Sequence, residues 1–307
     1  MKNTLGSNIP NSILMVRPKK FGFNYETANS NAFQNELEIE GLGDLVNEVF
    51  ENVVDVFIAN NIDVKVFDDL KGLSPDAIFP NNWVSQMPDG TVTLFPMATS
   101  LRQTEVQDNI IQYLLEKEVG NCLIDLRTEA EIGQYLEGTG SIVYDYDNKI
   151  AYTCVSDRTN VTLFESYCKM IGYTPFSFES VDLKGKQIYH TNVIMAITEH
   201  YVIVNIESVE NTLERLMLKK ELEKSGKMII EIDHQQTKSF AGNVMEVKNQ
   251  NGDSILVMSQ TAHQSLKEEQ LEKITYFNKI LVLDVSIIEK IGGGGVRCML
   301  VGLFDRI

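Results

Sequence analysis

The 307-residue chain is short of positive charge, with 27 Lys and Arg against 43 Asp and Glu and a formal net charge of −16. A nucleic acid or an anionic membrane surface needs a basic face, so neither is expected as a partner. No apolar run approaches the roughly 18 residues of a membrane span, and the opening MKNTLGSNIPNS has no apolar core of the kind a signal peptide carries. Cysteine is sparse. Cys122, Cys154, Cys168 and Cys298 form neither a disulfide framework nor a CxxC or other metal-binding spacing. Neither a metal nor an organic cofactor is implied, and a reducing, cytoplasmic setting is expected. Low-complexity sequence is confined to Gly292–Gly295 and no Pro/Ser-rich linker divides the chain. With ordinary apolar (43%) and charged (23%) content, it reads as one globular domain over 1–307.

What is present is a repeated order of elements. In residues 79–126, FPNNWVSQMPDGTVTLFPM reads as two strands about a Pro88-Asp89-Gly90 turn. TEVQDNIIQYLLEKEV follows with helical spacing, Val106, Ile110, Ile111, Leu114 and Leu115 sharing a face, and NCLIDL reads as a strand. The same hairpin–helix–strand order returns in 138–178, 190–232 and 243–284. A fifth unit needs both ends of the chain: Cys298–Val301 pairing with Ser12–Val16, a helix over 31–60, and a strand over Asp63–Phe67. Five ββαβ units of about 60 residues, the last closed by both termini, predict a ring of the propeller type. A doubly wound parallel sheet would also alternate strands and helices, but parallel neighbours cannot be joined by turns of two to four residues. The acidic surplus is assigned to outer helices such as LLEKE (114–118) and KEEQLEK (267–273).

The register of the repeat locates a site. The first residues of the five hairpins are Asn81-Asn82, Glu137-Gly138, His190-Thr191-Asn192, Gly242-Asn243 and Arg297-Cys298. In a fivefold ring these positions are equivalent and crowd one end of the axis. A thiol, an imidazole, a carboxylate and several amides are thereby expected in one small cavity. Cys298 follows a glycine run that permits close backbone approach to a substrate, and His190 falls opposite it as a candidate acid/base. Cys122, Cys154 and Cys168 read as core; His200, His234 and His263 read as surface or capping residues.

Six segments in order, FGFNYETANSNAFQ (21–34), FPNNW (79–83), LEGTGS (136–141), SDRTN (156–160), YHTN (189–192) and GGGGVRCM (292–299), resemble the pentein superfamily. That superfamily includes arginine deiminases, dimethylarginine hydrolases and amidinotransferases, and the likeness is greatest to the citrulline-utilization hydrolases related to arginine deiminase. The resemblance implies an α+β pentein fold, a five-bladed ββαβ propeller with pseudo-fivefold symmetry. It implies Cys298 as nucleophile, His190 as general acid/base and Glu137 as a substrate-binding carboxylate, with Asn81, Asn82 and Asn192 lining the substrate. Arg158 and Arg102 match positions that bind a substrate α-carboxylate, and the repeat independently puts both between second strand and helix in neighbouring units. Deiminases carry Asp where this chain has Asn82 and Asn192. Amides there favour a neutral ureido group over a guanidinium, because a carbonyl oxygen needs a donor and an unpaired carboxylate repels it.

The expected activity is therefore cysteine-dependent hydrolysis of carbon–nitrogen bonds, citrulline giving ornithine, ammonia and carbon dioxide. The alternatives are an arginine dihydrolase or deiminase, an amidinotransferase, or a catalytically silent ring that binds a ligand. A small amino-acid substrate is the expected partner, and assembly into a homo-oligomer is left open.

Overall fold

In the computed structural model, residues 8–116 and 122–304 are described. Among the described residues, fifteen strands form five three-stranded sheets, each an antiparallel hairpin whose second strand takes a parallel third strand. The first sheet joins the two ends of the chain: β1 (Ser12–Arg17) pairs antiparallel with β15 (Val301–Leu303) and parallel with β2 (Asp63–Asp68). The others are β3–β5 (Val84–Gln86, Val92–Leu94, Leu123–Asp125), β6–β8 (Ile142–Asp145, Ile150–Cys154, Thr174–Phe178), β9–β11 (Met195–Ile197, Tyr201–Val204, Met228–Glu231) and β12–β14 (Met245–Lys248, Ser254–Ser259, Lys279–Leu283). Between second and third strands run α1 (Leu42–Ala59), α2 (Asp108–Glu116), α3 (Val161–Ile171), α4 (Thr212–Lys224) and α5 (Glu268–Thr275).

The middle strand of each sheet is buried along nearly its whole length because both of its faces are covered. Successive residues point to opposite faces, and here the faces belong to different neighbours. In β1, Ile13 and Met15 enter a core shared with β12–β14, while Leu14 and Val16 enter one shared with β3 and β4. In β10, Val202 and Val204 pack toward β6–β8, and Tyr201 and Ile203 toward β12–β14. The remaining cluster joins Met87 and Phe95 to Tyr144, Phe164 and Tyr167. Five apolar clusters thus sit between five pairs of adjacent units, and the ring closes. This is the pentein architecture.

Local chemistry sets the helix ends. Asn160 caps α3 through Leu163 N and Gly172 ends it at φ 73°, while Asn211 caps α4. In α1, Val46, Phe50, Val53, Val54 and Phe57 make the buried stripe. In α5, Glu268, Glu269 and Glu272 face outward.

Several expectations need adjustment. The helix expected over 31–60 begins only at Leu42, because 31–35 is held as a strap: Asn31 and Gln34 donate to the carbonyls of Gly292 and Gly293, and Asn35 to Lys290. Cys298 lies in a helical turn, Val296–Met299, and the closing strand starts at Val301. The helix read from TEVQDNIIQYLLEKEV is observed over Asp108–Glu116; its end, including Lys117 and Glu118, lies outside the described residues. Cys122 is exposed, unlike buried Cys154 and Cys168, because it precedes an edge strand with a largely open face. No helix among the described residues is long and apolar enough to cross a membrane.

Candidate active site

A short helical turn precedes the first strand of four of the five hairpins, at Pro80–Asn82, Gly138–Ser141, Thr191–Val193 and Val296–Met299. The turn at Gly242-Asn243 is the fifth equivalent. Each tucks polar side chains inward at the same end of the axis. Glu137, His190 and Cys298 are 0%, 2% and 4% exposed, so the cluster is shut from solvent.

Glu137 is the hub. Its Oε2 is 2.8 Å from His190 Nε2, 3.5 Å from Arg158 Nη1 and 3.8 Å from Arg102 Nη1, and its Oε1 accepts from Ala98 N at 3.0 Å. Burial alone would raise its pKa, but Arg158, then His190 and Arg102, hold the carboxyl well below the usual carboxylate range. Burial drives His190 down to about 4 despite the upward pull of Glu137, with Arg158 and Arg102 adding to the fall. A neutral imidazole beside an ionised carboxylate must donate from Nε2, leaving Nδ1 as a free acceptor. Nδ1 faces Gly140, where an added Cβ would lie 2.8 Å from it and 2.4 Å from Asn82 Nδ2. Gly140→Ala is expected to displace the imidazole and the Asn82 amide together and cut turnover by about a hundredfold; kinetics of the purified variant check this.

The pH consequence has a definite sign. His190 is harder to protonate folded than unfolded, so its contribution to stability is present above about pH 6.5 and is lost as pH falls towards 4, and Glu137 acts in the same direction below its own unfolded value. Between pH 7 and 4.5 the imidazole accounts for about 2 to 3 kcal/mol of lost unfolding free energy. Denaturant titrations at the two pH values should show that loss, and His190→Gln should flatten it.

Cys298 Sγ receives two amide donors, Asn243 Nδ2 at 3.4 Å and Asn192 Nδ2 at 3.7 Å. Asn243 is held by donating to Asn192 O and by accepting from Arg297 N. Burial nevertheless pushes the thiol above its ordinary value, against Asn243, Arg297 and Asn192. With His190 depressed and Cys298 raised, the resting proton belongs on sulfur, and no thiolate–imidazolium pair is preformed. Iodoacetamide labelling of Cys298 should accordingly be slow at pH 7 and climb about tenfold per pH unit towards and beyond pH 9.

The two arginines have different partners. Arg102 grips Glu105 through Nε and Nη2 (2.9 and 3.0 Å) and also donates to Asn82 Oδ1 and Phe79 O. In this structure its fork faces Glu105, and its remaining nitrogen faces Asn82. Arg158 donates to Ser30 Oγ and Thr27 O and lies 4.6 Å over the Tyr189 ring, which is itself 4.5 Å from the His190 ring. Asn81 donates to Thr139 Oγ1. Asp76 receives Asn24 Nδ2 at 2.7 Å and lies 3.8 Å from Arg102 Nε.

The segment Asn24–Asn35 closes the mouth. Asn24 ties it to Asp76, Ser30 to Arg158, and Gln34 to Gly292 O. Gly293 (φ +65°) must be glycine here, because a Cβ would lie 2.7 Å from Asn31 Nδ2 and Gln34 Cγ. Asn24 and Gln34 therefore fix the loop, and Arg17 is an outer residue paired with Glu51 and Asp68.

Glu105, Asp76 and Asn243 had no assigned role in the sequence reading. Glu105 was visible as an i,i+3 partner of Arg102, and Asn243 through the register. Nothing local marked Asp76.

Four buried polar atoms in this region have no hydrogen-bond partner: Asn82 Nδ2, Asn192 Oδ1, Asn81 Oδ1 and Asp76 Oδ1. Leaving such atoms unpaired is costly. They are the atoms a polar ligand would meet.

The family described as N,N dimethylarginine dimethylhydrolase, eukaryotic, matches residues 17–305. The chain belongs to this dimethylarginine dimethylhydrolase family. Its members are hydrolases of the pentein superfamily, guanidino-modifying enzymes acting on carbon–nitrogen bonds other than peptide bonds. No curated protein matches it by sequence. Among solved structures, it is similar to the apo form of ArgZ, an arginine dihydrolase from the ornithine-ammonia cycle in Cyanobacteria, at 17% identity and TM-score 0.75, covering 96% of this chain and 41% of that one. The chain thus spans about two fifths of that ArgZ chain. It matches the substrate-bound N-terminal domain of ArgZ at 16% identity and TM-score 0.75, covering 96% and 98% of the two chains. A dimethylarginine dimethylaminohydrolase variant, as its adduct with S-methyl-L-thiocitrulline, is similar at 17% identity and TM-score 0.64, covering 96% of this chain and 100% of that one.

Proposed function

We propose that the protein hydrolyses the ureido group of citrulline through a covalent adduct on Cys298. The observation that carries this reading is the buried, unpartnered donor Asn82 Nδ2. Its orientation is not arbitrary. Arg102 has only donors, so the Asn82 atom it touches at 2.7 Å must be Oδ1. The NH2 therefore faces the His190 side of the site, where a carbonyl oxygen is the fitting partner. A guanidinium offers only donors there and would oppose it.

The sequence of steps conserves atoms and charge. The substrate binds with Arg158 as the cation for its α-carboxylate. Transfer of the Cys298 proton to His190 Nδ1 frees the thiolate, which attacks the ureido carbon. Asn82 donates to the developing oxyanion. His190 returns the proton to the departing nitrogen, releasing ornithine and leaving a carbamoyl group on Sγ. Water, deprotonated by His190 Nδ1, then attacks the carbamoyl carbon, and that proton passes to the Cys298 sulfur as the carbon–sulfur bond breaks. Carbamate leaves and decays to ammonia and carbon dioxide. Glu137 holds the imidazole in the Nε2–H tautomer and stabilises it when it is charged.

A second reading takes arginine or a methylated arginine as substrate. The family match and the unpartnered Asp76 Oδ1, a carboxylate oxygen fit for a cation, favour it. Incubation with citrulline, arginine and asymmetric dimethylarginine, scored for ornithine, citrulline, amines and ammonia, separates the two. Absence of ornithine from citrulline sinks the first.

A further inference from the structure

The same axis holds a second space, on the far side of the helical turns. A cavity of about 240 Å³ is lined by the first strands of all five hairpins and by Arg297 and Asn192 at its inner end. At roughly 30 Å³ per liquid water it has room for several heavy atoms beyond a single solvent molecule.

Its charged groups are unevenly satisfied. Lys227 Nζ is 2.7 Å from Asp147 Oδ2 and donates to Thr198 O and Glu199 O. Asp145 takes both nitrogens of Asn148 and lies 3.8 Å from Lys227. Glu246 accepts from Glu199 N, Ser254 Oγ and Asn278 Nδ2. Arg297 is the exception. Its guanidinium donates once, from Nη1 to Leu300 O at 2.6 Å, and among the described residues it has no carboxylate within ion-pair distance. A largely enclosed guanidinium without a counter-ion is costly, and its planar fork matches a carboxylate. Beside it, Asn192 also lines the cavity.

We propose that this axial cavity is a second ligand site, which takes a small carboxylate on Arg297 and thereby slows the reaction of Cys298. The coupling has a short path. Arg297 precedes the nucleophile, and its peptide N–H donates to Asn243 Oδ1 at 3.1 Å while Asn243 Nδ2 donates to Sγ. The guanidinium belongs to the residue next to the nucleophile, and its positive charge favours the sulfur as thiolate. A carboxylate on it cancels that field, so less thiolate forms.

The test reads the thiol and needs no turnover, so it stands or falls separately from the citrulline assignment. Labelling of Cys298 by iodoacetamide is followed while sodium acetate replaces sodium chloride at constant ionic strength. The unsubstituted protein should show saturable slowing of about three- to tenfold. Arg297→Met should label slowly without acetate and not respond to it. Ile197→Trp, which fills the cavity from β9 and leaves Arg297 in place, should label normally without acetate and lose the response; it decides the matter if Arg297→Met fails to fold. Labelling indifferent to acetate overturns the proposal. So does equal slowing in both variants, which would put the acetate on Arg158 within the active site.

Discussion

Cys298→Ala is expected to lower turnover by about a thousandfold or more while leaving the thermal midpoint close to that of the unsubstituted protein. The small thermal effect follows from the position of the side chain. The substitution removes a single sulfur atom from the edge of an apolar cluster, and the partners of that sulfur, the amides of Asn243 and Asn192, are weak donors to it at 3.4 and 3.7 Å. The large kinetic effect follows from the covalent route, since none of the surrounding groups can replace the attacking atom. His190 Nδ1 can activate water, but no second nucleophile sits among the amide donors. Steady-state assays with citrulline, alongside circular dichroism, supply both numbers, and a mass increase on Cys298 after an acid quench gives the complementary evidence. Undiminished turnover in the alanine variant would exclude the thiol mechanism altogether.

The ring was legible in the sequence because its signal is repeated. Hairpin turns such as Pro88-Asp89-Gly90 and apolar runs such as YVIV (201–204) recur in the same order, so the register could be read without knowing how the units pack. The register in turn aligned Asn82, Glu137, His190, Asn192, Asn243 and Cys298, which lie on equivalent turns. Less was legible where a residue's partner is distant in sequence. Asn24 and Asp76 meet across 52 residues, and Asn31 reaches Gly292 across 261. Those long-range bonds turn 31–35, which reads as a helix start, into a strap. Arg102 is a different case: its partner Glu105 lies only three residues away, but a guanidinium can turn to either a neighbour or a ligand, and the folded chain is what shows it facing Glu105. Cys122 was misplaced because a short apolar strand at an edge has the composition of a buried one.

Asn82→Asp is expected to lower kcat/KM for citrulline by about a hundredfold to a thousandfold and to move the preference towards arginine. One carboxylate oxygen would keep the 2.7 Å contact with Arg102, now charge-assisted, so the side chain should hold its position. The other oxygen would replace the donor at Nδ2. A ureido oxygen would then meet an acceptor bearing negative charge, in a site where Glu137 is already ionised and Asp76 and Glu105 are close to Arg102. The lost hydrogen bond and the new repulsion act together on citrulline. A guanidinium experiences the opposite, since it supplies N–H donors and a positive charge to the same oxygen. Parallel kinetics on citrulline and arginine measure the shift as a ratio, which cancels any general loss of active protein. An unchanged ratio would mean that Asn82 does not face the reacting group, and the assignment of a neutral ureido substrate would lose its basis. A rise in arginine turnover with citrulline retained would instead favour the reading in which both groups are cut at this one thiol.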